Sequence, residues 1–311
     1  MVVGFLGTLI GLERAVALGR VWPYGIPVLT GLSALLALIG VPFQLSAMLA
    51  SVAGVLLVGV FIALYHQYPS EHFVIMAVSA FALLVGNILW WKGTPIFSLV
   101  PWWVAFLVLM IAGERLELSR VRRPSAMIRA IFHLSAAVIL FGLAYGLFDF
   151  YYGIRCASVG LLVLALWLLR YDLAWHSAQQ SGLPRYMAIC LITGYLWLSI
   201  GGVLWFFFAP FFSAGPRYDA MLHSIFLGFV VSMIFAHAPI ILPTITDLAL
   251  PFQRIFYLHA GLLHASLLLR VVGDLGAWPS LQQWGGLFNA VAILLFLFNN
   301  VRAVKMSLPT H

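Results

Sequence analysis

Charge is what this chain most lacks. Asp, Glu, Lys and Arg together make up 8% of its 311 residues, where a soluble protein carries roughly a quarter. So few charges cannot cover a water-exposed surface. Cysteine is nearly absent too: Cys156 and Cys190 lie in separate apolar runs, with no CxxC or Cys/His spacing. That pattern supports neither a disulfide framework nor a zinc site and leaves both thiols as small packing residues. No Pro/Gly/Ser-rich linker divides the chain and no repeat of 20–50 residues stands out, so residues 1–311 read as one integral membrane domain. The opening apolar run ends in Glu13-Arg14 instead of a small-residue cleavage site, which is unlike a secretory signal.

What is present is apolar and aromatic. Hydrophobic residues make up 64% of the chain, and the mean hydropathy is +1.07. Crossing a hydrocarbon core of about 30 Å takes roughly 20 apolar residues. Such runs occur near 22–41, 43–65, 73–91, 96–113, 127–148, 151–171, 185–208, 217–243, 255–272 and 283–304. With the opening run 1–18, the expected fold is an all-α, polytopic transmembrane bundle of about eleven helices. Only the first twelve residues of that opening run are free of charge, about 18 Å of helix. The shortfall predicts that residues upstream of Met1 complete this helix and add a twelfth.

The formal charge of +7 resembles a nucleic-acid signal until the cations are placed. Alternating sides through the runs puts Lys92, Arg155, Arg217 and Arg270 on one face of the membrane and the other 12 of the 16 basic residues on the opposite one. Cytoplasmic loops carry the excess of Lys and Arg. The split therefore predicts a bacterial-type inner membrane protein with a cytoplasmic C-terminus, Met1 outside and a main cytoplasmic loop at 114–126. The expected partner is the bilayer, not nucleic acid.

Ionisable side chains at membrane depth are costly and face the bundle interior. The candidates are His133, His223, His237, His259, His264, Glu13 and Glu114, while His66, His72, His176 and His311 fall in loops or at the terminus. On an ideal α-helix His223 and His237 lie about 40° apart and about 21 Å apart along the axis, so they share a face but not one metal ion. His259 and His264 point about 140° apart, and His264 is the deeper of the two. By depth, His133, His237 and His264 fall near the levels of Glu13 and Glu114. Such a group can hold haem or a metal, relay protons, or act as hydrogen-bonding glue between helices. Arg270 and Asp274 are spaced as a local ion pair, and Gly86 and Asn87 as a close helix contact. GLERAV at 11–16 and AGERLE at 112–117 weakly echo one another.

The spacing H-x4-G-x4-M at His223, Gly228 and Met233 resembles the helix motif of the NnrS family, membrane haem- and copper-containing proteins associated with nitric oxide metabolism. The opening GFLGTLIGLERAVALG resembles the part of that family's early helix that follows its histidine motif, with the histidine falling just before Met1. The resemblance covers these two segments. It implies about twelve helices, distantly similar in layout to the catalytic subunit of haem-copper oxidases, where a bis-histidine haem joins an early and a late helix near the outer face. It also implies haem and copper as cofactors and a redox partner protein, with His223 as the ligand that its motif carries; membrane depth, not the resemblance, adds His237 and His264 as candidate cofactor and metal ligands and His133 as a further metal ligand. No second histidine-rich motif stands on 96–113 or 127–148, which points away from turnover at a binuclear centre and toward electron transfer, sensing or nitric oxide handling. Two other classes compete: a permease with an intramembrane His/Glu site, and a non-catalytic assembly subunit.

Overall fold

The computed structural model describes residues 2–246 and 248–307; the expectations for Met1 and His311 lie outside the described residues. Among the described residues the structure is all helix. In chain order the helices are α1 (Val2–Leu18), α2 (Gly25–Leu38), α3 (Phe43–Gln67), α4 (Glu71–Trp91), α5 (Ile96–Ser119), α6 (Ala126–Tyr145) and α7 (Phe150–Tyr171). There follow the short α8 (Ala174–Ser177), then α9 (Leu183–Phe208), α10 (Pro216–His223), α11 (Ser232–Thr246), α12 (Phe256–Gly276) and α13 (Pro279–Ser307). A π-helical segment, Ser224–Val231, joins α10 to α11, so that Pro216–Thr244 forms one long span. Among the described residues nine helical spans are long and apolar enough to cross a membrane. The chain is a multi-pass helical membrane protein.

Breakers set the helix ends. Prolines 42, 95, 184, 216 and 279 each stand at a helix start, where the missing N–H costs nothing because that donor has no intrahelical partner. Gly93, at φ 80°, ends α4 in the left-handed conformation that a side chain disfavours. One expected boundary moves. α5 runs on through Glu114 and Arg115 to Ser119, because Glu, Arg and Leu favour helix and Arg115 is buried. Most of the loop expected at 114–126 is therefore helical.

The chain forms two compact units, 1–121 with 143–150, and 122–142 with 151–311. In the first, α5 is the most buried span, packed on α4, which packs on α3. Asn87 donates to the Ala50 carbonyl (2.9 Å) and accepts from the Trp103 indole (3.0 Å), while a Cβ at Gly86 would come within 2.8 Å of the Trp103 ring. The close helix contact expected at these two residues is present. In the second unit α9 packs against α11 and the π-helical segment, and α12 packs along α13. A polar seam runs down the α12–α13 contact, with Ser266 donating to Asn289 (2.6 Å) and Asn299 bonded to His259 (3.1 Å). These bonds join helices that lipid gives no hydrophobic reason to associate.

Candidate functional site

At one end of the second unit, the start of α10 meets the end of α12. The His223 Nδ1–H donates to the Asp219 backbone carbonyl at 2.7 Å. A carbonyl only accepts, so the ring proton of the neutral imidazole sits on Nδ1 and Nε2 keeps its lone pair. Among the described residues Nε2 has no hydrogen-bond partner. Behind the ring stands Asp274, whose Oδ2 lies 4.0 Å from Nδ1 and whose side chain is 1% exposed. Arg270 holds this end together. It donates from Nε to Asp274 (3.1 Å), from Nη2 to Asp219 (3.3 Å) and from Nη1 to the Gln282 carbonyl (3.1 Å). The expected Arg270–Asp274 pair is present, and the fold adds Asp219 from another helix. Asp274 Oδ1 is buried and makes no hydrogen bond.

The π-helical segment begins immediately after His223 and corrects the expectation that His223 and His237 share a face. That expectation assumed 100° per residue throughout; eight residues bonded i→i+5 widen the turn and break the extrapolation. Gly228 and Met233 both turn toward α9: a Cβ on Gly228 would overlap the Trp197 side chain, and one on Gly194 would overlap the Met233 methyl. Gly228 and Met233 therefore serve helix packing, while His223 turns toward α12. His237 donates Nδ1–H to the Met233 carbonyl at 2.7 Å, the same arrangement as in His223.

His264 lies differently. The Trp197 indole N–H, which can only donate, reaches its Nδ1 at 3.2 Å. The ring proton is then on Nε2 and goes to Thr193 Oγ1 at 2.9 Å. Both ring nitrogens are in use within the protein, and His264 does not fit ligation in this arrangement. His259, the less favoured of the pair in the sequence, is the fully buried one. It bonds to Tyr186 Oη (2.9 Å) and to Asn299, under the Phe235 and Phe296 rings.

In the first unit the two echoing segments meet. Arg14 of GLERAV pairs with Glu114 of AGERLE at 2.5 Å, lies 3.5 Å from Glu13, and packs over Phe61. Arg14 thereby gains the counter-charge that a buried cation needs. His72, expected in a solvated loop, is instead buried in the first turn of α4, with Nδ1 bonded to Ser70 at 2.7 Å and Nε2 3.5 Å from Glu117. The sequence held one signal for this placement: Ser70 and Glu71 are typical residues for a helix start. His133, half-buried on α6, donates to the Arg129 carbonyl at 2.8 Å and belongs to the second unit, whereas Glu13 and Glu114 belong to the first. Among the described residues no three His, Cys, Asp or Glu side chains are grouped to hold a metal ion. The shared depth of His133, His237, His264, Glu13 and Glu114 does not become such a cluster.

Residues 1–305 match the family model described as a domain of unknown function, DUF8744, and the chain belongs to that family. No curated protein and no solved structure matches the chain.

Proposed function

We propose that this DUF8744 protein binds haem within the membrane through His223, in nitric oxide or respiratory redox metabolism. One observation carries the reading. His223 has its Nδ1 tied to a backbone carbonyl, Nε2 without a partner among the described residues, and a buried carboxylate behind the ring. Ligating histidines are commonly held in this way, with the second nitrogen fixing tautomer and orientation. Haem at Nε2 would supply one-electron chemistry or a site for a diatomic gas. The protein's part is to hold the imidazole neutral and oriented, and to keep water away with an apolar bundle. His237 shares the Nδ1 arrangement and is the second candidate ligand. The donor set does not favour copper, which needs several converging ligands.

The test is an absorption spectrum of the full-length protein purified with haem available. A Soret band near stoichiometric with protein is expected; its absence sinks the haem reading. A permease is the second reading, favoured by the Asp274 oxygen that is buried without a partner beside Arg270. Spectral silence would move that reading to the front.

The excess of basic residues on one set of loops supports an inner-membrane location with the C-terminus in the cytoplasm. A reporter fused after Lys305 should then be active only in the cytoplasm, and one in the 92–95 loop only outside. The reverse pattern would overturn the assignment.

A further inference from the structure

α13 ends in a face that lipid alone does not explain. Phe298, Val301, Arg302, Lys305 and Met306 line a cavity of about 310 Å³ open to the surroundings. Arg302 and Lys305 are three residues apart, so one helical turn carries both cations on one side. All five residues are exposed, and neither cation pairs with a carboxylate among the described residues. Other arginines are held inside the protein: Arg14 by Glu114, Arg270 by two aspartates, Arg217 over the Phe208 and Phe211 rings. Distances along α13 suit a headgroup at this level. Trp284, 55% exposed near the other end of the helix, suits one interface of a bilayer. Arg302 lies 18 residues further on, about 27 Å along the axis, against a hydrocarbon core of about 30 Å. Between these two levels the outward side of α13 presents Leu287, Leu294, Leu297 and Phe298.

We infer that this cavity binds an anionic phospholipid, its phosphate between Arg302 and Lys305 and an acyl chain along Phe298 and Val301. Two unpaired cations one turn apart suit a phosphate carrying net negative charge, and the apolar wall below them suits the chain attached to it. A zwitterionic lipid brings its own ammonium into the same space and loses the advantage.

The full chain, stripped of lipid and reconstituted in nanodiscs of phosphatidylcholine with or without phosphatidylglycerol, is read by native mass spectrometry for retained lipid. The wild type is expected to retain phosphatidylglycerol over phosphatidylcholine. Arg302→Gln with Lys305→Gln should weaken that retention about thirtyfold, from about 1 kcal/mol for each cation near a membrane surface. Arg302→Lys, which keeps the charge, should retain the lipid. Arg155→Gln, removing a cation stacked on Tyr152, should leave retention unchanged. Equal retention of both lipids by the wild type overturns the inference without reference to any variant. So does retention unaffected by the double substitution, displacement of the lipid by inorganic phosphate, or a homodimer that covers α13 and holds no lipid.

Discussion

His223→Ala is expected to remove the Soret band of the haem-loaded, full-length protein while leaving insertion into the membrane intact. Alanine deletes the proposed iron ligand, a bond to the Asp219 carbonyl and the 4.0 Å approach to Asp274. The stronger tie between α10 and α12 remains, because Arg270 still bridges Asp219 and Asp274. Loss of the partners behind a ligating histidine typically weakens metal binding 10–100-fold, so loss of the ligand itself should exceed about 100-fold. Two comparisons separate ligation from general damage. His133→Ala, on α6 and outside the α10–α12 contact, should leave the spectrum unchanged. His264→Leu removes bonds to Thr193 and Trp197 and should lower stability modestly, at about 0.6 kcal/mol for a typical polar contact between membrane helices, with the band kept. If His264→Leu abolishes the band and His223→Ala does not, the assignment of the ligand is wrong.

Gly285→Leu is expected to cost the most stability of any single change at the α12–α13 contact. A Cβ at this position would stand 2.6 Å from the Arg270 backbone nitrogen and 2.7 Å from its Cα. Neither atom can rotate away as a side chain can, so the two helices must separate. Overpacking of this kind costs typically 1–3 kcal/mol, and a clash with backbone belongs at the upper end. Separation would also pull Arg270 from the Gln282 carbonyl and disturb its hold on Asp219 and Asp274. Thermal unfolding in detergent, followed by far-UV circular dichroism, should show an earlier transition than wild type. Gly261→Ala is the matched comparison. Its Cβ would meet nothing within 4 Å, and alanine improves a helix interior by about 1 kcal/mol at most. Equal melting of the leucine variant and wild type would mean that the close approach at Gly285 is not maintained in solution.

Neither the glycine contact nor the ligand geometry could be ranked from the residues alone. Nothing in the sequence marks Gly285 and Gly286; the structure places the Arg270 backbone against the first and its guanidinium against the second. His264 outranked His259 by depth, yet a tryptophan and a threonine on α9 occupy both nitrogens of His264. His223 and His237 shared a face only under α-helical geometry, and the π-helical segment between them changes the angle. The echo of GLERAV and AGERLE was visible as a pattern, but that Arg14 meets Glu114 across 100 residues was not.

By itself, the sequence determined the class of protein, the helices and most of their ends. Transfer into lipid depends on each segment's own composition, so an apolar run bounded by proline and glycine declares its helix without reference to neighbours. The tertiary structure decided which polar groups satisfy one another: Arg14 with Glu114, Asn289 with Ser266, Trp197 with His264, and Arg270 with Asp219. Those choices rest on distances of about 3 Å between residues far apart in the chain. Hydrogen bonds and ion pairs are short-ranged and directional, so which imidazole keeps a nitrogen to spare is settled only when the helices have packed.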